Sequence, residues 1–290
     1  MPHLSRVLVC LSLLGLLSAC GDDDENGADL LSPRLEDGLP ALPSALPSVS
    51  PSFASADSVA RYARGMVVGQ LNRVRLASLE ATSAHQLLAG GGWREAGSGC
   101  WMREFGVRSD TTCVTTAWAC EAEGGFTYSQ VLDGYHCIPG YVENPPPLEN
   151  WVSVSGFSNA DASHGRFRRF KLPSAGTGPS AEWTWQLSPD RRFVDWTFYV
   201  DGDEESGRFA GALRVDLQGS SVLRAEFRWS ETEKWDADLA ADGRSGRMSI
   251  LARNSFSGEW RTREEIVWRP AHGSWNSYDD SGAPSAERIW

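Results

Sequence analysis

This 290-residue chain has little of what nucleic-acid binders, metalloproteins and enzymes need. Its 27 lysines and arginines are outnumbered by 38 aspartates and glutamates, a formal charge of −11, and no basic stripe is present to neutralise a phosphate backbone. Nucleic acid is therefore not expected as a partner. The six cysteines include no C-x-x-C pair, and only His136 stands beside one of them, so neither a metal nor a cofactor is expected. Enzyme signatures are scarce as well. Gly156-Phe157-Ser158-Asn159-Ala160 lacks the final glycine of a nucleophile elbow and no helical pattern follows it, so it reads as a loop after a strand. Asp161, Ser163 and His164 lie closer in sequence than triad members usually do, and His164 reads as a surface loop residue. The acids of Asp201-Gly202-Asp203-Glu204-Glu205 miss the EF-hand spacing and suit a solvated hairpin tip. No catalytic residue is assigned, and an envelope hydrolase is the weakest of three functional readings.

The chain also lacks a membrane-length apolar run at its start. Val7 to Ala19, VLVCLSLLGLLSA, is thirteen residues against the roughly 20 that a spanning helix needs, and it follows the single cation Arg6. That pattern predicts a secretory signal over residues 1–19. Its end, Leu17-Ser18-Ala19-Cys20, resembles the lipobox of bacterial lipoproteins, in small residues before the cysteine and in the cysteine itself. The resemblance covers about twenty residues. It implies that Cys20 becomes the first mature residue, carries a diacylglyceryl thioether, and makes a membrane of the bacterial cell envelope the first partner. In that family an aspartate directly after the cysteine marks inner-membrane retention. Here that position is Gly21, so the outer membrane is expected.

Removing the signal takes away Arg6 and Cys10, which moves the charge from −11 to −12. With Cys20 lipidated, Cys100, Cys113, Cys120 and Cys137 form an even set in an exported protein, and two disulfides with three alternative connectivities follow.

Residues 20–56 hold Asp22, Asp23, Asp24, Glu25, Asp29, Glu36 and Asp37 against Arg34, together with Pro33, Pro40, Pro43, Pro47 and Pro51. Prolines at that density, with so little apolar content, predict a disordered tether. Residues 57–147 read as a helix followed by a four-cysteine β segment. Val59, Tyr62, Met66, Val67, Leu71 and Val74 give the helix one apolar face over about 58–88, with Ser55 or Asp57 as cap, a second start at Thr82 or Ser83, and a stop at Gly90-Gly91-Gly92. Gly65 and Gly69 read as close helix packing or a kink rather than a membrane dimer motif. Short β-like runs and an Asp133-Gly134 hairpin signal come next, and Pro145-Pro146-Pro147 reads as a stiff connector.

Residues 148–290 read as eleven strands, starting near Trp151, Gly165, Ala181, Arg192, Gly207, Ser221, Glu233, Arg244, Phe256, Gly273 and Ser285. Alternation gives each a dry face: Val194, Trp196, Phe198 and Val200; Leu213, Val215 and Leu217; Leu223, Ala225, Phe227 and Trp229; Trp235, Ala237 and Leu239; Trp260, Ile266 and Trp268. A sheet that wide must curl. The expected fold class is mainly β, a large curled antiparallel meander, barrel or half-barrel, preceded by an N-terminal helix that covers it and a small disulfide-stapled β segment. In strand count it is similar to the lipoprotein-receptor half-barrels of the outer membrane, which implies a concave face able to take an acyl chain. Thirteen tryptophans either fill that face or form a sugar-stacking platform, and Trp183, Trp185, Trp260 and Trp268 are the binding candidates. A non-enzymatic binder or scaffold is expected, with lipid or another amphiphile as ligand, or cell-wall glycan as the alternative.

Overall fold

The computed structural model describes residues 39–43, 57–105, 114–133, 152–171, 178–201 and 208–290. Helix α1, Ser58–Ala89, starts where the Asp57 carboxylate accepts hydrogen bonds from the backbone N–H of Val59 and Ala60. It runs unbroken through Thr82, whose hydroxyl donates to the Ser78 carbonyl, so there is one helix and no second start. Its buried stripe is Ala60, Ala63, Val67, Leu71, Val74, Ser78, Ala81, Thr82, His85 and Leu88. Steps of three and four keep these residues on one side. Small alanines, not Val59 and Tyr62, turn inward over the first two turns. Tyr62 lies on the flank, where its ring stacks on Trp275 at 5.1 Å. Gly65 and Gly69 are exposed, and a Cβ on either would meet nothing, so they mark no close packing within the chain.

Fifteen strands follow. The first four are β1 (Arg94–Gly97), β2 (Cys100–Phe105), β3 (Val114–Ala122) and β4 (Gly125–Asp133). Then come β5 (Val152–Asn159), β6 (His164–Phe170), β7 (Pro179–Leu187), β8 (Phe193–Asp201), β9 (Arg208–Asp216) and β10 (Ser221–Arg228). The last are β11 (Glu233–Leu239), β12 (Gly246–Arg253), β13 (Trp260–Trp268), β14 (Gly273–Tyr278) and β15 (Pro284–Ile289). They form a single antiparallel meander in chain order, and β1 and β15 remain edges, so the curled sheet is open. All eleven runs expected after residue 148 are strands. The cysteine segment is no separate module, because β4 pairs with β5 from Gly125↔Asn159 to Val131↔Val152 and continues the same sheet.

Two bulges overturn the simple alternation. A register shift in β10 between Val222 and Arg224 places Val222, not Leu223, opposite Val215 on the dry face. A second, between Ile250 and Leu251, gives β13 an extra residue, so Trp260 lies on the opposite face from Ile266 and Trp268. There it packs under cations of the wet face, Lys234 at 5.3 Å and Arg228 at 6.0 Å from its ring.

Helix α1 lies in the concave face, against β6–β10. Two rows of side chains, each passing from strand to strand, make the wall beneath it. One is Gly156, Phe167, Trp183, Phe198, Gly211, Phe227 and Trp235; the other is Gly165, Trp185, Trp196, Leu213, Ala225, Ala237 and Met248. Large rings are laid on glycines of the next strand. A Cβ at Gly156 would run into Phe167, at Gly165 into Trp185, and at Gly211 into Phe198.

These two classes of glycine should respond oppositely to alanine. Gly65→Ala and Gly69→Ala, exposed in a helix interior, should each stabilise the protein by about 0.5–1 kcal/mol. Gly165→Ala should destabilise it by about 1–3 kcal/mol, the cost of overpacking against the Trp185 ring. Urea unfolding of the three variants checks both signs.

Candidate functional site

The site is built where the last turns of α1 meet β6–β8. His85 points into the wall, and four rings surround its imidazole edge-on: Phe167 at 5.2 Å, Trp183 at 6.4 Å, Trp185 at 5.0 Å and Trp196 at 5.2 Å between centroids. Farther along the wall, Tyr128 packs on Phe167 and on Trp93, and Ser158 donates to its hydroxyl. Burial pushes the Tyr128 phenol up to about 12.

A five-residue strap, Leu39–Pro43, completes the seat. All five residues are buried, with Leu39 at 1% and Leu42 at 3% exposure. The segment read as a uniformly disordered tether therefore contains a packed piece. Leu39 and Leu42 offer apolar area, and Pro40 and Pro43 already have fixed φ, so ordering this stretch costs less than ordering its neighbours. Burying two leucines is worth about 3–6 kcal/mol and ordering five residues costs roughly 5–10 kcal/mol before the proline discount, so the strap is held marginally.

One hydrogen bond fixes the strap's polar group. The Pro43 carbonyl lies 2.5 Å from His85 Nε2, and because a carbonyl only accepts, Nε2 carries the proton. Nδ1 is then a bare acceptor, buried without a partner. Two indole donors beside His85, Trp183 Nε1 and Trp196 Nε1, are likewise unpartnered, as is Trp235 Nε1 farther along the wall, whereas Trp185 Nε1 donates to the Ala162 carbonyl at 2.9 Å. The seat is thus apolar, with two N–H donors and one acceptor unpartnered beside the strap's carbonyl. Burial pushes His85 down to about 4, against a smaller upward pull from the Pro43 carbonyl.

Of the residues singled out from sequence, Trp183, Trp185 and Trp268 are fully buried, and Trp260 is half-buried on the outer face. None forms an exposed stacking platform. Cys100 and Cys120 face each other across β2 and β3 and are disulfide-bonded; Cys20, Cys113 and Cys137 lie outside the described residues. Ser158 is buried within β5 rather than in a loop, and His164 is exposed beside the Asn159, Asp161 and Ser163 turn. Of the acids at 201–205 only Asp201 is described, and among the described residues no group of three metal-ligating side chains converges. A cleft of about 370 Å³ at the rim, between the β12–β13 and β14–β15 turns, is lined by Arg253, Phe256, Arg261, Arg263 and Asp280. Two of its arginines serve turn carbonyls, Arg253 that of Gly258 and Arg261 that of Asp280. The site's two key parts were missed from sequence. His85 was findable, since it continues the Val74, Ser78, Ala81 stripe; the strap carried no periodic signal.

Comparison with known proteins gives no match: no family model, no curated protein and no solved structure resembles the chain.

The buried imidazole makes stability depend on acid. Below pH 6.5 the unfolded chain takes up a proton at His85 that the folded protein refuses until about pH 4. Stability should therefore fall as pH drops through that window, by about 3 kcal/mol from this one group. His85→Gln keeps a donor for Pro43 but does not titrate, so urea unfolding between pH 7 and pH 4.5 should show a steeper decline in the parent than in the variant.

Proposed function

We propose that this protein is a lipid-tethered binding protein of the bacterial cell envelope, without catalytic chemistry, that holds an acyl chain or similar amphiphile in the concave seat beside His85. The observation that carries this reading is the seat itself: an aromatic wall with unpartnered Trp183 and Trp196 donors, covered by a strap of five residues. The strap contributes two leucines buried in the same apolar core and one carbonyl that accepts from His85 Nε2. Those are the chemical features of an acyl chain ending in a carboxyl or ester group.

Supporting the tether are the lipobox-like Leu17-Ser18-Ala19-Cys20 and the export signal before it. The Cys100–Cys120 disulfide suits an oxidising compartment. No described helix is long and apolar enough to cross a membrane. The proposed anchor is the lipid on Cys20, and Gly21 after it favours the outer membrane. Glycan stacking has less support, because Trp183, Trp185 and Trp268 are buried and the Trp260 ring is partnered by Lys234 and Arg228.

Two measurements test the halves separately. The parent should fractionate with outer membranes and gain diacylglyceryl mass at Cys20, and Cys20→Ser should release it. Purified protein should bind a fluorescent fatty acid at one site, and Trp196→Ala should weaken that binding at least several-fold while the membrane fraction stays unchanged. A soluble parent would end the first half, and a parent blind to fatty acid the second.

A further inference from the structure

We propose that Leu39–Pro43 is a ligand in cis: an exchangeable Leu-Pro segment that occupies the seat, competes with whatever binds there, and sets the length of the leash. The competition rests on the binding reading above. The strap's place in the seat rests on geometry alone.

Four features mark it as a docked peptide rather than a fixed part of the core. Leu39 and Leu42 are buried in the core, and among the described residues the strap has one side-chain hydrogen bond, His85 Nε2 to the Pro43 carbonyl, and no backbone ladder to the sheet. A segment with prolines at 40 and 43 has carbonyls that cannot be used internally and must be met from outside. Rings with an N–H donor beside them are the usual means of meeting them, as in aromatic grooves that read proline-rich peptides. The seat supplies that pairing in His85 with Trp183, Trp185 and Trp196. Finally, Leu-Pro recurs three times in close succession, at 39–40, 42–43 and 46–47, so the chain carries more than one copy of the pattern the seat accepts.

Docking in cis has a consequence for reach. On the reading that Cys20 carries the lipid, a docked strap leaves 18 residues between anchor and domain, and a released one leaves 36. Reach then rises about twofold, from ~55 Å to ~110 Å at full polyproline extension. An added ligand must outcompete an intramolecular segment whose effective concentration is on the order of millimolar. The seat therefore responds only to a ligand that is tight or locally abundant.

A single cut tests this. A protease site inserted between Ser48 and Val49 of the mature protein in detergent turns the strap into a separate fragment. After cutting, the domain should keep its far-ultraviolet circular dichroism, and the fragment should stay associated at micromolar concentration and leave on dilution. It should also be displaced by excess synthetic peptide spanning residues 37–45, and by oleate. Displacement by peptide but not by oleate would retain the strap proposal and remove the acyl-chain reading. A fragment that excess peptide never displaces, or a domain that unfolds as the fragment leaves, would overturn the proposal. In the uncut chain, Leu42→Asp gives an independent arm. It should bind labelled 37–45 peptide at least tenfold more tightly than the parent, because its own strap no longer competes, and equal binding by the two proteins would contradict that.

Discussion

Everything in this fold depends on how large rings are accommodated on the inside of a strongly curled sheet. Concave surface shrinks as a sheet rolls up, yet the dry face here carries Phe167, Trp183, Trp185, Trp196, Phe198 and Phe227 in adjoining registers. The chain resolves the crowding by alternation across strands. Gly165 lies under Trp185, Gly156 under Phe167, Gly211 under Phe198 and, at the far end, Gly246 under Trp268. Each glycine removes a side chain where a ring needs to lie flat, and the sheet can close around α1 without clashes. The helix answers in kind with Ala60, Ala63 and Ala81 on its buried stripe.

That packing also explains why a polar site exists in so apolar a wall. A tryptophan that fills the interior brings an N–H with it, and a curled sheet offers few carbonyls that are not already used in strand pairing. Trp185 finds one at Ala162, in a turn; Trp275 uses the Glu264 carboxylate; Trp183, Trp196 and Trp235 find none. His85 is drawn into the same problem from the helix side. Its neutrality follows from burial, its tautomer from the Pro43 carbonyl, and its unpartnered Nδ1 from the rings around it. Unpartnered buried polar groups also occur at Gln70, Gln130, Ser221, Trp235 and Asp236, so what favours a binding role is not their number but the convergence of Trp183 and Trp196 on the imidazole of His85.

Much of the fold was legible from period-two alternation and turn residues, because each strand has one wet side and one dry side. Val194, Trp196, Phe198 and Val200 on β8 are buried as the pattern requires. The pattern failed where one residue was added without any change of composition. Nothing in Leu223 or Arg263 announces a bulge, and the cost of missing it was the wrong face for Trp260. Helix α1 was legible in extent and in the face of its middle turns, Val67, Leu71 and Val74, but not over its first two turns, where small alanines rather than Val59 and Tyr62 are buried. The site was hardest. Its histidine is one polar residue in a helix with many, and its strap belongs to a proline-rich run whose composition speaks for disorder. What decides otherwise is a tertiary partner some 40 residues away.

The order of parts along the chain then matters more than any one contact. Strap, helix and wall come in sequence, so the segment that fills the seat is also the segment through which any N-terminal anchor would hold the domain. Occupancy of the seat and length of the leash become one equilibrium between a docked and a released strap. A ligand shifts it only by its preference for the released state, and the strap's high effective concentration sets how much preference is needed. A strap extended by a few more leucines would be core, and one without Leu39 and Leu42 would be linker. The observed strap, two leucines and one carbonyl deep, sits between those limits, where a ligand tight or abundant enough to displace it changes how far the domain reaches.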